Sequence, residues 1–365
     1  MQIKDIIQVI EEFAPLQLQE SYDNAGLIIG DFEQEVKGVL LCLDSTEEIL
    51  DEALKKGCNV IIAHHPIVFS GLKKINGGNY IERVIIKAIK NNIAIYAAHT
   101  NIDNVMEGVN GKICDKLGLG QREILSPKSN YLKKLVTFCP LLQADAVRQA
   151  LFVAGAGHIG KYDECSYNTE GTGTFRPSQG AAPFVGEVGK QQQEKEIKIE
   201  TIFPAYLKSR ILKALFTSHP YEEVAYDIIP VENKYQGSGS GIIAELGEEQ
   251  SEVEFLKMVK ERMKVSVIRH TSLLNKPIKK VAVCGGSGSF LLSRAIAAGA
   301  DIFITSDFKY HQFFDAENKI IIADIGHYES EQFTIEIFYR LLIENFPKFA
   351  VSLSEINTNP INYLK

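Results

Sequence analysis

Short apolar runs alternate with amphipathic stretches along most of the chain. Strands that are covered on both faces of a parallel sheet are apolar at nearly every position. Six runs meet this description: Gly38–Leu43, Asn59–Ala63, Ile93–Ala98, Val281–Cys284, Asp301–Thr305 and Ile320–Ala323. The spacing of apolar residues between the runs predicts helices, among them Thr46–Lys56, Ile81–Lys90 and Phe290–Ala298. This βαβ pattern predicts an α/β fold with mostly parallel sheets.

Two parts of this pattern resemble each other. A displacement of 242 positions places Gly38–His65 over Lys280–Asp307 without a gap. Each copy contains a strand, a small polar turn, a helix, a glycine that suits a left-handed helix end, and a second buried strand. Duplication of one βαβ unit explains the match, and convergence of two such units is the alternative. The first copy ends in His64-His65 and the second in Ser306-Asp307, and we expect the two halves to face each other.

The segment Lys128–Gln236 has a different character, with a polar run and many Gly, Ser and Thr residues. Its pattern predicts the elements β Lys134–Cys139, α Ala144–Ala154, β Asp163–Asn168, β Glu196–Phe203, α Ala205–Phe216 and β Val224–Pro230. The βαββαβ order is that of a ferredoxin-like domain. We therefore predict a discontinuous core, residues 1–127 and 237–365, with an inserted domain at 128–236. The glycine-rich Gly237–Gly241 is expected to form a flexible return to the core.

Composition narrows the classes of protein. The chain has 365 residues, with 39 Lys and Arg against 46 Asp and Glu, and this net charge of −7 argues against nucleic acid as a partner. No apolar run is long enough to span a membrane, and the amphipathic Met1–Pro15 does not resemble a signal peptide. The six cysteines form no CxxC motif, which favours free thiols and a cytoplasmic location.

Adjacent histidines stand at the end of the second predicted strand, in Ala63-His64-His65-Pro66. Parallel sheets bind ligands outside the carboxyl ends of their strands, and imidazole is the most common metal ligand. A histidine pair alone is more typical of a solvated strand end. Two further strand ends change this balance, because His99–Asp103 follows the third strand and Asp324–Glu331 follows the last.

These strand ends predict a metal site. If a helix begins after Gly326, His327 and Glu331 lie four residues apart on one face. The predicted ligands are then His64, His65, Asp103, His327 and Glu331. This mixed set suits Zn, Mn or Fe(II), and it exceeds what one tetrahedral zinc ion needs. We therefore predict two divalent ions that share a carboxylate. His99 is expected to support a ligand, with direct ligation as the alternative.

Two other features give weaker predictions. The backbone N–H groups of Gly285, Gly286, Ser287 and Gly288, between a strand and a helix, could hold an anion. A tight structural turn is the alternative, and the loop lacks the motifs for ATP or NAD. Asp307 and His311 follow a strand on the same edge and are predicted to orient substrate, transfer a proton or support a ligand. For Asp307, capping of the following turn is the alternative.

Six motifs together resemble one known family. In chain order they are Ser21-Tyr-Asp-Asn-Ala-Gly-Leu27, His64-His65-Pro66, His99-Thr-Asn-Ile-Asp103, Val283-Cys-Gly-Gly-Ser-Gly288, Thr305-Ser-Asp-Phe-Lys-Tyr-His311 and Gly326-His-Tyr-Glu-Ser-Glu331. Their order resembles that of the Nif-three-like family, whose members are named GTP cyclohydrolase 1 type 2 homologues. The resemblance covers Met1–Pro127 and Gly237–Lys365. Tyr22 departs from it, because many members have Trp there, although a stacking role survives the change.

The resemblance implies further properties. It implies a dinuclear metal site whose ligands fall on the five residues named above, and a toroidal homohexamer with its sites facing an internal cavity. It also implies that the inserted segment is similar to the PII and CutA proteins. The motifs do not establish that this chain opens GTP.

Two classes of function fit these predictions. The first is a metal-dependent hydrolase that acts on a nucleotide or on a small phosphorylated or cyclic-amide compound. The second is a regulatory or metal-handling assembly without catalysis, in which the inserted domain senses a small molecule. Open coordination positions would distinguish them, since a closed shell of protein ligands is typical of structural sites.

Overall fold

A computed structural model describes residues 1–364 of the chain. These residues form two compact units, Met1–Ser126 with Gly237–Lys365 (unit 1) and Pro127–Gln236 (unit 2). The helices are α1 Ile3–Phe13, α2 Glu47–Lys55, α3 Tyr80–Lys90, α4 Thr100–Asp103, α5 Val109–Leu117, α6 Ala144–Val153, α7 Lys208–Ser218, α8 Glu252–Arg262, α9 Leu292–Ala297, α10 His327–Glu331 and α11 Thr334–Asn345. The strands are β1 Gly26–Ile29, β2 Val39–Cys42, β3 Val60–Ala63, β4 Ala94–Ala97, β5 Gly120–Lys128, β6 Leu132–Pro140, β7 Tyr167–Phe175, β8 Gln192–Pro204, β9 Tyr226–Val231, β10 Tyr235–Gln250, β11 Arg269–His270, β12 Ile278–Ser287, β13 Ile302–Ser306, β14 Ile321–Asp324 and β15 Val351–Leu353.

Unit 1 contains two mixed sheets. The first has the order β1-β4-β3-β2-β15, and its pairs are parallel except β1 with β4. The second has the order β11-β14-β13-β12-β10-β5, in which the central pairs β14-β13 and β13-β12 are parallel. The β10-β12 and β11-β14 pairs are antiparallel. The α/β fold is confirmed, but the prediction of mostly parallel sheets is corrected to a mixed arrangement.

The predicted buried strands of unit 1 are confirmed, with ends that differ by a few residues. Every residue of β2, β3, β4, β13 and β14 is buried. Apolar side chains of both sheets share one large cluster with α1, α5, α8 and α11. A second cluster joins the other face of the first sheet to α2 and α3, and a third lies on the other face of the second sheet. Burial on both faces explains why these strands are continuously apolar.

The two βαβ copies end their helices in the same way. The N–H of Gly57 bonds to Leu54 O at 3.1 Å, and the N–H of Gly299 bonds to Ile296 O at 3.0 Å. The residue after each glycine bonds to the carbonyl of the third-last helical residue, which completes a Schellman motif. Both glycines have a left-handed φ, +70° and +74°, which costs L side chains energy. The predicted glycine helix ends are therefore present in both copies.

Unit 2 contains a four-stranded antiparallel sheet with the order β7-β8-β6-β9. Its elements follow the order β6, α6, β7, β8, α7 and β9. Apolar side chains of α6 and α7 pack against one face of the sheet, where Leu135, Cys139 and Ile199 are fully buried. The second strand of this unit was predicted at 163–168 and lies instead at 167–175.

The glycine-rich return segment is a second correction. Gly237–Gly241 lies inside β10 and is therefore not a flexible connection. The Gly and Ser composition suggested a linker, but the strand continues into an apolar run whose Ile242–Glu245 pairs with β12. Among residues 1–364, no helix combines the length and apolar character needed to cross a bilayer.

Candidate metal centre

Three strand ends of unit 1 bring imidazoles and carboxylates together. His64 and His65 directly follow β3, Asp103 ends the short α4 after β4, and α10 after β14 carries His327 and Glu331. Helix α10 begins at His327, as predicted, so these two side chains lie one turn apart. The structure thus places all five predicted side chains in one cluster.

Glu331 lies at the centre of this cluster and is almost fully buried. Its Oε2 is 3.0 Å from His65 Nε2 and 3.1 Å from His327 Nε2, and its Oε1 is 3.6 Å from His64 Nε2. Asp103 Oδ1 lies 3.7 Å from His64 Nε2. Two carboxylates therefore face three ring nitrogens. Where a ring nitrogen and a carboxylate oxygen lie this close, both are acceptors unless a proton or a metal ion is bound to one or both of them.

The other ring nitrogen of each histidine is held by a fixed acceptor. Nδ1 of His64 donates to the carbonyl of Ala98 at 2.9 Å. Nδ1 of His65 bonds to Asp44 at 2.7 Å, and Nδ1 of His327 bonds to Asp307 at 2.6 Å. Because oxygen acceptors on Nδ1 fix the donor there, each Nε2 presents its lone pair to the cluster when the ring is neutral. Metal-binding histidines are held in this way by carboxylates and carbonyls.

A fourth imidazole lies beside the cluster. The His99 ring centroid is 5.3 Å from that of His64 and 5.4 Å from that of His65. Its Nδ1 bonds to Asp23 at 2.7 Å. Although burial disfavours the charge, bonds from His99 and Thr100 lower the pKa of Asp23 to about 2. His99 can share a three-histidine group with His64 and His65, so both roles considered for it stay open.

The electrostatics of the cluster favour positive charge. Burial opposes protonation of His65, but hydrogen bonds to Asp44 and Glu331 raise its pKa to about 10. For His327, burial is likewise outweighed by the charge of Glu331 and the bond to Asp307, which raise its pKa to about 11. Burial and the neighbouring charge of Glu331 raise the pKa of Asp103 to about 8. The surroundings therefore stabilise cations at this point and disfavour a second negative charge without one.

Two buried atoms make the strongest case for a metal. His64 Nε2 and Asp103 Oδ1 have no hydrogen-bond partner among residues 1–364. Each such buried polar atom costs roughly 1–3 kcal/mol when it stays unsatisfied. The nitrogen lone pair and the carboxylate oxygen lie 3.7 Å apart, and both are ligand atoms that divalent metals accept. His64, Asp103 and Glu331 form one of the groups whose ligand atoms lie within 4.8 Å of one another. The residues present therefore fit a metal ion.

The Gly285–Gly288 loop supports Glu331. A Cβ at Gly286, whose φ is +61°, would lie 2.3 Å from Glu331 Oε1. The N–H of Gly285 already donates to Asn110 Oδ1, and the N–H of Gly286 donates to Ser330 Oγ, both at 2.9 Å. The predicted anion loop is therefore corrected for these two positions, because their N–H groups are occupied. Close approach to Glu331 explains the glycine at 286.

Asp307 and His311 have different surroundings. Asp307 has a left-handed φ of +60°, and its carboxylate bonds to Nδ1 of His327 at 2.6 Å. His311 is exposed on a 3₁₀ helix, Tyr310–Ala316, where its ring lies near Tyr310 and Phe314. No bond among residues 1–364 joins His311 to the cluster.

Sequence reasoning missed two carboxylates, Asp44 and Asp23. Asp44 follows β2 at the same sheet edge as His65, and its position was the available signal. Its second oxygen accepts from Thr358 Oγ1 at 2.6 Å. Asp23 lies in the turn-rich loop before β1, where nothing local distinguishes it from a capping residue.

Two exposed aromatic rings lie next to this site. Tyr22 and Phe69 are 63% and 49% exposed, and their centroids are 6.3 Å apart. Phe69 also lies 6.1 Å from the ring of His99. Exposed aromatic pairs of this kind suit a flat partner that stacks against them.

The fold and the cluster together define a mixed α/β protein with a cluster of imidazole and carboxylate groups that could hold metal. The first βαβ copy contributes His64 and His65 to this cluster, and Asp307 of the second copy bonds to His327. Residues 1–360 match the family Duf34/NIF3 (NGG1p interacting factor 3). The chain belongs to this family, as its motif order predicted.

Two relatives illustrate the similarity. The chain is 40% identical over 367 residues to a protein of Bacillus subtilis named GTP cyclohydrolase 1 type 2 homolog, covering 99% of this chain and 98% of that protein. It is also similar to the crystal structure of a Bacillus cereus protein related to NIF3, with a TM-score of 0.87, 39% identity and coverage of 100% and 99%. The Staphylococcus aureus protein SA1388 gives a TM-score of 0.78 at 30% identity, with the same coverage.

Proposed function

We propose that unit 1 is a metal-dependent hydrolase whose ligands are His64, His65, Asp103, His327 and Glu331. The observation that carries this proposal is the buried, unpartnered pair His64 Nε2 and Asp103 Oδ1. Ordinary hydrogen bonding leaves these two atoms unsatisfied, whereas a divalent ion satisfies both. The number of ligands favours two ions of Zn, Mn or Fe per chain.

The protein's own residues have separable tasks in this proposal. When bound, divalent ions polarise a phosphoryl or carbonyl oxygen and lower the pKa of a coordinated water. Asp44 and Asp307 hold the rings of His65 and His327, so that Nε2 of each points at the cluster. Gly286 leaves room for the carboxylate of Glu331. His311, whose ring lies near those of Tyr310 and Phe314, has no task in this proposal.

A nucleotide, or a small phosphorylated or cyclic-amide compound, is the proposed substrate class. Tyr22 and Phe69 offer stacking surfaces for a planar ring next to His99. The name of the Bacillus subtilis relative, GTP cyclohydrolase 1 type 2 homolog, is compatible with a purine substrate. GTP opening itself is only one member of the panel that should be tested.

The experiment measures hydrolysis by the full chain after purification without chelator. The substrate panel contains phosphomonoesters, phosphodiesters and GTP, each with and without a chelator and after readdition of Zn, Mn or Fe(II). The proposal predicts turnover that chelator removes and that one of these metals restores. A His64→Ala/His65→Ala double variant should lack both metal and turnover. Turnover that is unaffected by chelator and by the double variant would contradict the proposal.

The second candidate is a regulatory or metal-handling assembly without catalysis. The full burial of His64 and Glu331 favours it, because closed metal sites are typical of structural roles. Metal bound stoichiometrically without turnover of any panel member would support this candidate instead.

Three further proposals concern the inserted domain, the oligomeric state and the cellular location. The β-α-β-β-α-β order and the strand order of unit 2 support a ferredoxin-like, PII- or CutA-like domain inserted at 128–236. We expect that residues 127–236 fold when expressed alone, which a cooperative melting transition would demonstrate. A homohexamer and a cytoplasmic location stay predictions from the family resemblance and the cysteine pattern. Light scattering of the purified protein tests the hexamer.

A further inference from the structure

Unit 2 contains a cavity of about 690 Å³. Its volume lies within the range of about 300–1,000 Å³ that is typical of small-molecule sites. The cavity lies on the sheet face opposite α6 and α7. Ile199 of β8 points to those helices, whereas Glu196 and Lys198, which line the cavity, alternate to the other face.

A buried carboxylate lies at the floor of this cavity. Glu196 is only 8% exposed, and its Oε1 accepts a hydrogen bond from Tyr221 Oη at 2.8 Å. Gly173 of β7 makes room for it. Gly171 lies directly opposite Glu196 in the sheet, and a Cβ at Gly173 would lie 2.2 Å from Glu196 Oε2. The absence of side chains on this part of β7 keeps the carboxylate open to the cavity.

Glu196 has no cationic partner among residues 1–364. Lys198, its neighbour on the same face, pairs with Glu200 at 3.0 Å. The imidazole of His219 is close by but is held neutral, since Nδ1 accepts from the Tyr221 N–H at 3.1 Å and Nε2 donates to Phe138 O at 2.9 Å. Burial also lowers the pKa of His219. A buried carboxylate without a cation is costly, so a positively charged ligand would be stabilised here.

Aromatic rings form the walls around the carboxylate. The ring of Tyr221 lies 6.0 Å from that of Phe175 and 6.2 Å from that of Phe184. Phe184 is 51% exposed, so a ligand could cover it. Aromatic faces attract cations, and they pack well against apolar or aromatic bodies. The charged side chains that line the cavity are four glutamates and two basic residues, which also favours a cation.

We infer that unit 2 binds a small organic cation, a primary amine that carries an apolar or aromatic body. The ammonium group would bond to Glu196, and the body would lie between Phe175, Phe184 and Tyr221. This site is independent of the metal centre, so failure of either proposal leaves the other untouched.

Calorimetric titration of the full chain with three matched probes tests the inference. The probes are phenethylammonium, the neutral 2-phenylethanol and the anionic phenylacetate. Phenethylammonium should bind with the highest affinity. Glu196→Gln keeps the shape and the bond from Tyr221 but removes the charge, and it should weaken phenethylammonium binding by at least about tenfold. Glu232→Gln, an exposed charge of the same unit outside the cavity, is the matched control and should have no effect.

Phe184→Ala provides a second variant that truncates an exposed ring and is expected to fold. It should weaken all aromatic probes, so it keeps the test valid if Glu196→Gln fails to show a normal melting transition. The inference is overturned if phenylacetate binds most tightly, or if a folded Glu196→Gln binds phenethylammonium like the wild type. The inference is also overturned if phenethylammonium shows no saturable binding at concentrations up to about 10 mM, because a preformed site should bind it more tightly than that.

Discussion

The two βαβ copies of unit 1 share a backbone plan but differ in what stands at the strand end. In both copies a parallel strand pair flanks a helix that ends in a Schellman motif, at Gly57 and at Gly299. The first copy then ends in His64-His65, whose rings enter the cluster. The second ends in Ser306-Asp307, whose side chains bond to Gly286 O and to His327 Nδ1.

This difference teaches how the scaffold divides its work. The first copy supplies candidate metal ligands, whereas the second supplies groups that position ligands from elsewhere in the chain. The shared features, the buried strands and the glycine helix ends, concern folding alone. We therefore expect substitutions at the two strand ends to differ in their effect on metal affinity. Substitutions of the two glycines should lower the free energy of unfolding by similar amounts.

The largest effect is expected from removal of a ligand in the first copy. His65→Ala should lower metal affinity by more than about 100-fold, beyond the 10–100-fold that is typical of supporting residues. Its circular dichroism should stay near that of the wild type, because the ligands come from three separate strand ends. Ser306→Ala changes the residue of the second copy that corresponds to His64, and this variant should retain metal.

Equal metal loss in His65→Ala and Ser306→Ala would break the proposed division of roles. His158→Ala, at an exposed histidine of unit 2, controls for a general effect of removing an imidazole.

Gly286→Ala should give the next largest effect. The added Cβ would meet Glu331 Oε1 at 2.3 Å, and the φ of +61° disfavours any L side chain. The central carboxylate must then move, so both metal affinity and melting temperature should fall. Gly247→Ala, whose Cβ would have no neighbour within 4 Å, should leave both unchanged. Unchanged metal affinity in a folded Gly286→Ala would show that the position of Glu331 is not critical.

Asp307→Asn and Asp44→Asn test the two carboxylates that bond to Nδ1 of His327 and of His65. Each should cost about 10–100-fold in metal affinity at nearly constant melting temperature. Asn tolerates the left-handed φ of Asp307 and can still cap a turn, so a pure capping role predicts no loss of metal. Titration of the metal-depleted variants with Zn or Mn distinguishes the two readings. Asp315→Asn, at an exposed carboxylate, is the control.

The smallest effect is expected at the helix ends. Gly57→Ala and Gly299→Ala should each lower the free energy of unfolding by about 1–2 kcal/mol, the cost of a left-handed L residue. No atom would contact either added Cβ within 4 Å, so the strain is confined to the backbone. Metal content should not change in either variant. A large difference between the two variants in the free energy of unfolding, measured with denaturant, would show that the two glycines do not have equivalent structural roles.

Much of unit 1 could be predicted because its signals are local. Strands buried on both faces are apolar throughout, and each precedes a polar group at the same sheet edge, which is why five cluster residues were found from three strand ends. Gly57 and Gly299 were recognisable because few residues other than glycine adopt that helix end easily.

The remaining features depend on contacts distant in sequence. Asp44 supports His65 across 21 positions, and Asp307 reaches His327 across 20, so no spacing rule connects them. The Gly237–Gly241 segment resembles a linker because it consists of Gly and Ser. It lies in a strand because β10 pairs with β12, which follows about 40 residues later and is not visible in the local sequence. The N–H groups of Gly285 and Gly286 are occupied by Asn110 and Ser330, a fact that the local sequence does not encode.

An anomalous-scattering experiment tests the central claim most directly. Crystals of the full chain grown with Mn or Zn should show strong anomalous peaks about 2.0–2.3 Å from Nε2 of His64, His65 and His327 and from the carboxylates of Asp103 and Glu331. Two peaks at this cluster are the predicted result. Peaks at other positions only, with His64 Nε2 and Asp103 Oδ1 still without a partner, would contradict the account.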